Sequence, residues 1–259
     1  GNVARAKSAA PTLKAPAAPD LSAIAVVPFA DLSPGRDQDY LCEGIAEELI
    51  DALTHVEGLR VASRTASFQF RGAGADVGEV GRALRVGTLL EGSVRKANHH
   101  LRVTVQLVEV STGHQRWSQR FDRPLGEVFA IQDEIANSVA ASLRGGALSP
   151  REQQALARPQ TAGAAYEYYL RGRHCLPRMA AADLRRGAEM FDRAVALDAD
   201  YAPAYVALAM AHATLHEWFG AKDEDRVRAE RAGERALELA PDRAEAHVAR
   251  GCALSLSRR

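Results

Sequence analysis

Residues 86–121 read VGTLLEGSVRKANHHLRVTVQLVEVSTGHQRWSQRF, and this stretch decides the fold. Every second residue from Leu101 to Leu107 is apolar, and the residues between them are polar. A period of two residues is that of a β-strand with one buried face. Turn residues at Ala97-Asn98 and Thr112-Gly113 flank this strand, which predicts an antiparallel meander. Its three predicted strands are Val86–Arg95, Leu101–Val110 and Gln115–Phe121.

The residues before the meander alternate between strand and helix patterns. Ile24–Phe29 (IAVVPF) is apolar on both faces, as in a strand covered on both sides of a sheet, with Pro28 near its end. An amphipathic helix is predicted over Tyr40–Thr54. The acids with the spacing of a solvated helix face are Glu43, Glu47, Glu48 and Asp51. Leu59–Ser63 then reads as a strand and Val77–Leu84 as a helix.

A strongly amphipathic helix over Leu125–Leu143 closes this unit, and Gly145-Gly146 ends it. The order β-α-β-α-β-β-β-α predicts a compact α/β domain with a mixed sheet over residues 22–146. Residues 1–21 are rich in Ala and Pro and lack the apolar core of a signal peptide. They predict an extended, disordered linker.

After residue 147 the strand patterns give way to alanine-rich helical patterns, and the sequence repeats itself. Ala194 corresponds to Ala236, and Leu197 corresponds to Leu239 at the same offset. The tetratricopeptide unit is a helix–turn–helix repeat whose period, about 34 residues, is shorter than this offset. We therefore predict an all-α, tetratricopeptide-type repeat array over residues 147–259, with the surplus residues inserted near His216–Arg226. The chain stops within a helical pattern, as expected of a fragment of a longer protein.

Charge and composition exclude several classes of function. Lys+Arg and Asp+Glu both number 33, so no excess of cations favours binding to nucleic acid. No run of about 18 apolar residues is present, so we expect no direct membrane insertion. Cys42, Cys175 and Cys252 are far apart and lack the spacing of a disulfide framework or a zinc site. We predict no metal site.

No catalytic motif is apparent either. The sequence contains no G-x-S-x-G, H-E-x-x-H or G-x-x-x-x-G-K-[ST] motif. Gly72, Gly74 and Gly78 resemble a phosphate-binding loop, but the spacing is one residue too long for G-x-G-x-x-G. We predict no catalytic residue and no cofactor. The alternative is an enzyme with a site between the two domains, built from paired carboxylates or a Ser–His contact.

A helical repeat array offers a surface for partners, since stacked helix pairs form a concave groove lined by their first helices. In the unit that begins near Ala202, the residues predicted to reach this groove are Val206, Met210, Ala213 and Thr214. Each of them alternatively packs against the neighbouring helix. A small-molecule site at the carboxyl ends of the strands, near Ala30–Pro34, is a further alternative.

The chain resembles a bacterial domain related to the amino-terminal domain of TolB. Three blocks together carry this resemblance: LLEGSVRK (residues 89–96), TGHQRWSQRFDR (112–123) and FAIQDEIA (129–136). The segment AYEYYLRGRH (165–174) and the repeats resemble the tetratricopeptide units that accompany this domain. The resemblance implies attachment to receptor serine/threonine kinases, adenylate cyclases or winged-helix regulators, often beyond a transmembrane helix. Departures from the repeat pattern at Ala199, Gly187 and Gly233 imply looser packing in the first units.

The sequence therefore predicts a non-catalytic sensory and protein-interaction module of a bacterial signalling protein. It would bind a partner protein or peptide, or alternatively a small-molecule ligand, and relay to an output domain outside this chain. The resemblance implies an extracytoplasmic, periplasmic location in a membrane-anchored protein. The three unpaired cysteines favour the alternative, the cytoplasm.

Overall fold

A computed structural model describes residues 22–70, 76–98, 100–144, 146, 163–220 and 222–256. The predicted linker over residues 1–21 lies outside the described residues, as do Gly72 and Gly74 of the glycine-containing loop. Residues 147–162, where the second domain was predicted to begin, lie outside them as well. The two domain boundaries stay predictions.

The first part of the chain forms a six-stranded mixed sheet. Its strands are β1 (Ala23–Val26), β2 (Ala30–Asp31), β3 (Arg60–Val61), β4 (Thr88–Ala97), β5 (His100–Glu109) and β6 (Gln115–Pro124). The strand order is β3-β1-β4-β5-β6, with β2 also paired to β4. Strand β1 runs parallel to β3 and β4, whereas β4, β5 and β6 are antiparallel to one another.

The predicted meander is confirmed. The four apolar residues between Leu101 and Leu107 that alternate along β5 are all fully buried. Asn98 has φ of 55° in the β4–β5 turn and Gly113 has φ of 69° in the β5–β6 turn. Asn and Gly are the residues that most readily adopt this left-handed conformation. The turn chemistry and the alternation therefore define the same register.

The predicted strand Ile24–Phe29 is wrong in extent. Strand β1 ends at Val26, and pairing with β4 resumes only at Ala30 in β2. Pro28 lies in the interruption, because proline has no backbone N–H to donate to a neighbouring strand.

Four helices cover the sheet: α1 (Asp39–Thr54), α2 (Arg64–Ser67), α3 (Val77–Leu84) and α4 (Val128–Arg144). Helices α1 and α4 share one hydrophobic core with β5, whereas Val80 of α3 packs with Ala23 and Ala25 on the opposite face. Helix α2 is absent from the sequence-based prediction. It is a single turn that begins where the Ser63 side chain accepts a hydrogen bond from the backbone N–H of Ala66.

The second part of the chain is entirely helical in its described residues. Its helices are α5 (Gly163–Cys175), α6 (Ala181–Leu197), α7 (Ala202–Trp218), α8 (Asp223–Leu239) and α9 (Ala244–Ser255). Helices α6, α7 and α8 each contain 17 residues. The offset between Ala194 and Ala236 also separates the start of α6 from that of α8, and the start of α7 from that of α9. The repeat seen in the sequence is therefore a repeat of successive helix pairs.

The predicted insertion near His216–Arg226 is wrong. His216 lies in the last turn of α7 and Arg226 in the first turns of α8, and the connection over 219–222 is as long as those over 198–201 and 240–243. The two helices of each pair and their equal connections therefore account for the whole offset of the repeat.

The sheet and the helical array share one hydrophobic core. Helix α5 packs against α1, and a series of aromatic rings runs from α4 through α5 to α6 and the start of α7. The centre of the Phe129 ring in α4 lies 4.4 Å from that of Tyr166 in α5, and the ring centres of Tyr166 and Tyr169 lie 6.3 Å apart. The centre of the Tyr169 ring in turn lies 6.0 Å from that of Phe191 and 5.3 Å from that of Tyr201.

Glycines at helix crossings bring the helices of the array close together. A Cβ at Gly187 would lie 3.2 Å from the carbonyl oxygen of Gly172, and a Cβ at Gly233 would lie 3.2 Å from Cα of Arg250. The departures from the repeat pattern at Gly187 and Gly233 thus accompany tight packing rather than the looser packing that was expected.

We predict that Gly172→Ala destabilises the protein. A Cβ at Gly172 would lie 2.5 Å from Cε1 of Phe191, a ring with no exposed surface. The free energy of unfolding should fall by about 1–3 kcal/mol, because overpacking outweighs the higher helix propensity of alanine. Urea denaturation measures the change. Gly251→Ala in α9 is the control, since its Cβ meets open space, and it should gain up to about 1 kcal/mol. Equal stability of the two variants would contradict this packing.

Candidate binding cleft

A cleft of about 540 Å³ lies where the helical array meets helix α1. Helix α1 forms one wall, and α5, α7 and the start of α9 form most of the rest, with Phe129 of α4 and Ala240 after α8. The volume is within the range of about 300–1,000 Å³ that is typical of ligand sites. The polar and charged side chains that line the cleft, apart from its tyrosines, are Glu47, Glu48, Asp51, His55, Arg173, Arg243 and Glu245.

The α1 wall is acidic because of how this helix packs. Its apolar residues, among them Leu41, Ile45 and Leu49, are buried in the core against the sheet. Its acids therefore lie on the opposite side, where the sequence predicted a solvated face. That prediction is wrong for Glu43, which is 8 % exposed, and for the half-buried Glu47 and Glu48. Helix α5 covers this side at Glu43, Glu47 and Glu48, whereas Asp51, one turn further along, stays exposed as predicted.

Arg173 of α5 connects the acidic wall to the floor of the cleft. Its guanidinium group donates a hydrogen bond to the carboxylate of Glu47 and lies 3.5 Å from that of Glu48. It also lies 5.5 Å from the centre of the Tyr169 ring and donates to the Tyr169 hydroxyl at 3.4 Å. Arg64 of α2 adds a second cation, 3.2 Å from Glu47. A guanidinium group is thus held between carboxylates and an aromatic face.

The floor of the cleft is aromatic and apolar. Tyr169 and Tyr201 meet edge to face, with an angle of 81° between their rings. Beside them, Val206 and Met210 of α7 line the cleft, with Leu176 from the turn after α5. The cleft therefore offers a negatively charged wall next to a surface that accepts hydrocarbon and aromatic groups.

Two of the four predicted groove residues lie in this cleft, and two do not. Val206 and Met210 line it. Ala213 is buried between helices, in a cluster with Ala229, Ala253 and Leu256. The Thr214 hydroxyl donates to the backbone carbonyl of Met210 at 2.8 Å. Ala213 and Thr214 do not line the cleft, and a binding role for Val206 and Met210 stays a prediction.

The loop at the carboxyl end of β2, near Ala30–Pro34, has an internal structural role. The Asp31 carboxylate accepts hydrogen bonds at 2.8 Å from the backbone N–H groups of Ser33 and Gln38. Burial by itself raises the pKa of Asp31, but the hydrogen bond from the Ser33 hydroxyl, these two backbone hydrogen bonds and the charge of Arg36 together lower it. Asp31 thus fixes the loop that leads into α1. A small-molecule site here stays an untested alternative.

A second polar cluster fixes α5 to the sheet. Lys96 of β4 and Arg171 of α5 both donate to Oε1 of Glu167 at 2.7 Å. The Tyr40 hydroxyl lies 2.8 Å from the same oxygen. Burial by itself raises the pKa of Glu167, but the hydrogen bonds from Lys96 and Tyr40 outweigh it and hold this pKa below its usual range. The carboxylate therefore stays charged and bridges three structural elements.

Within the described part of the chain, no group of three or more His, Cys, Asp and Glu side chains is arranged to hold a metal ion. The described helices also include none that is long and apolar enough to cross a membrane.

Comparison with known proteins relates the chain to regulatory proteins. Residues 20–138 match the family described as HilA/YgeH-like transcriptional regulator, second domain. Over 246 residues the chain is 31% identical to the putative adenylate cyclase 3 of Rhizobium meliloti (strain 1021). That alignment covers 94% of this chain and 42% of the relative, so the chain spans less than half of the relative's length. The matches indicate a signalling or regulatory module of bacterial type.

Solved structures show weaker likenesses. TolB from Acinetobacter baumannii is 17% identical, with a TM-score of 0.37, and the match covers 49% of this chain and 30% of TolB. Lipoprotein GNA1162 from Neisseria meningitidis is 15% identical, with a TM-score of 0.36, and the match covers 46% of this chain and 97% of the lipoprotein. Both TM-scores lie below 0.5.

We predict that Glu167→Gln destabilises the protein at pH 7 by about 1–3 kcal/mol, because Lys96 and Arg171 lose a charged acceptor. The pKa of Glu167 is lowered in the folded state, so its contribution is present above the usual value of 4.5 and is lost as the pH falls through the lowered pKa. The difference in stability between wild type and variant should therefore narrow below pH 4.5. Urea midpoints between pH 3 and 7 measure it.

The control is Glu57→Gln, which removes an exposed carboxylate outside this cluster and should leave stability nearly unchanged. A wild type and a Glu167→Gln variant with the same urea midpoint at pH 7 would show that the cluster does not stabilise the fold.

Proposed function

We propose that this chain is a non-catalytic sensory and interaction module of a bacterial signalling protein. It receives a segment of a partner protein in the cleft between α1 and the helical array, and it relays this event to an output domain outside the chain. The observation that carries the proposal is the cleft itself, in which a charged wall and an aromatic floor come from two parts of the chain.

The junction between these parts supports a relay. Helix α1 packs on the sheet, Arg173 belongs to the helical array, and the cleft lies between them. A segment that enters the cleft contacts both parts at once, so its binding energy depends on their relative position. Ligands shift conformational equilibria only through such a difference in affinity between states.

We include in the proposal that α5–α9 is a tetratricopeptide-type array with lengthened helices. Support comes from the offset that successive helix pairs share and from the equal lengths of the connections between helices α6 to α9. In arrays of stacked helix pairs the first helices face the concave surface, and α5, α7 and α9 are the first helices here. These are the helices of the array that contribute to the cleft.

A small-molecule ligand is the second candidate, favoured by the cleft volume of about 540 Å³. The paired carboxylates of an enzyme between two domains are the remaining alternative. Glu47 and Glu48 are adjacent, but both are engaged with Arg173, which favours a binding and structural role over proton transfer.

We propose a periplasmic location, as part of a membrane-anchored protein, in agreement with the resemblance to the TolB-related domain. Cys42, Cys175 and Cys252 are free thiols, which supports the cytoplasm as the alternative. Fractionation of the full-length protein distinguishes the two.

The proposal predicts site-specific cross-linking in the native host. A photoreactive benzoylphenylalanine at His55, which is exposed and lines the cleft, should capture one partner that mass spectrometry identifies. The same group at Glu57, two residues away and outside the cleft lining, should not capture it. The adduct should disappear when Ala207→Trp fills the cleft, because a large side chain then occupies the space of the partner.

Ala196→Trp is the matched control, since Ala196 is an exposed residue of α6 outside the cleft lining. This variant should keep the adduct. Circular dichroism confirms that both variants fold. An adduct that forms equally from Glu57, or that persists in a folded Ala207→Trp variant, would show that partners bind elsewhere.

A further inference from the structure

The cleft carries an excess of negative charge. Four carboxylates line it, from Glu47, Glu48, Asp51 and Glu245, against the two guanidinium groups of Arg173 and Arg243. With His55 neutral, the lining therefore has a net charge of −2. Charge of one sign in a concave site with apolar walls attracts and selects ligands of the opposite sign.

The acids of the lining differ in how accessible they are. Glu47 is within ion-pair distance of both Arg173 and Arg64 and is half-buried. Glu245 lies 3.6 Å from Arg243 on another wall of the cleft. Asp51 is the exposed acid of the α1 wall, one helical turn beyond Glu47 and Glu48. The exposure of Asp51 therefore places a carboxylate within reach of solvent at this end of the α1 wall.

The protein already binds one arginine side chain in this way. The Arg173 guanidinium lies against Glu47 and Glu48 on one side and the Tyr169 ring on the other. Charge-assisted hydrogen bonds and an aromatic face together suit a planar cation. Tyr201 meets Tyr169 at 5.3 Å and lines the same cleft, which extends the aromatic surface beyond Arg173.

The rest of the floor suits a hydrocarbon stem. Val206, Ala207 and Met210 of α7 line the cleft beside the aromatic corner. Arginine and lysine bury their methylene groups along apolar surface while the charged head reaches polar groups. Methionine adapts to partners of different shape, because its side chain is unbranched and flexible.

We propose that the cleft recognises a basic side chain, arginine or lysine, presented by the partner segment between apolar neighbours. The charged head contacts the α1 wall at Glu48 and Asp51, and its stem and neighbours pack on Tyr201, Val206 and Met210. The inference rests on the proposed function, namely that the cleft is the binding site, and adds the chemical class of the group that enters it.

The test is isothermal titration calorimetry of the whole chain with four probes. Three are acetylated tripeptide amides in which leucines flank arginine, glutamine or glutamate, and the fourth is agmatine, a guanidinium on a free amine stem. We expect the arginine peptide to bind at least about tenfold more tightly than the glutamine peptide, and the glutamate peptide more weakly than either. Raising the salt concentration should weaken the binding of the arginine peptide but not that of the glutamine or glutamate peptide.

Two variants locate the cation. Asp51→Asn should weaken binding of the arginine peptide by about tenfold, because one charged acceptor is lost. Glu57→Gln removes the same charge from an exposed position outside the cleft and should leave the affinity within about twofold. Neither residue is part of the buried core, and matching thermal unfolding curves verify that both variants are folded.

Four results would overturn the inference. Equal affinity for the arginine and glutamine peptides, or equal effects of Asp51→Asn and Glu57→Gln, removes the basic side chain as the recognised group. Agmatine that binds as tightly as the arginine peptide assigns the site to a small cationic compound instead of a side chain presented by a partner segment. If the glutamine or glutamate peptide binds best and Ala207→Trp abolishes that binding, the cleft remains the binding site while the basic side chain is excluded. Cross-linking that finds no partner at the cleft contradicts the proposed function separately.

Discussion

The packing of α5 on α1 is the contact on which the rest of the structure depends. Glu167 and Arg171 connect α5 to Lys96 and Tyr40, and Arg173 connects it to Glu47. The tilted contact between the Phe129 and Tyr166 rings joins α5 to α4 beside them. Each aromatic pair contributes about 0.5–1.5 kcal/mol beyond the area it buries. Because the helical array begins at α5, this junction sets where α7 and α9 lie relative to the sheet. The cleft exists only as a consequence of that placement.

Sequence reasoning succeeded where the physical signal is local. The alternation along β5 and the turn residues Asn98 and Gly113 specify the meander, since strand period and turn geometry are properties of neighbouring residues. The repeat of helix pairs was also predictable from the offset between Ala194 and Ala236, because both alanines are buried at corresponding positions of their helices. Its misassignment to an insertion arose from comparison with a fixed repeat length. Longer helices keep the helical spacing of the apolar residues, and the sequence of the connecting turn does not change with helix length.

The cleft was only partly predictable, because its walls are far apart in the chain. Arg173 and Glu47 are separated by 126 residues, and no local pattern indicates that they meet. Acids at i, i+4 spacing on a helix are usually solvated, so the acids of α1 carried no sign that α5 would cover them. Val206 and Met210 were accessible to sequence reasoning through helical phase. Ala213 was not separable from them, since helical phase alone does not specify which neighbour a small residue packs against.

The most direct test of the account is whether the sheet and the helical array hold one fixed relative position. Double electron–electron resonance between spin labels at Glu57, after α1, and Ala196, in α6, measures this in solution, because both residues are exposed. We expect a single narrow distance distribution, because the shared core and the Arg173 and Glu167 contacts hold the two parts together. A broad or multimodal distribution in the folded protein would contradict it, since the cleft would then have no defined shape.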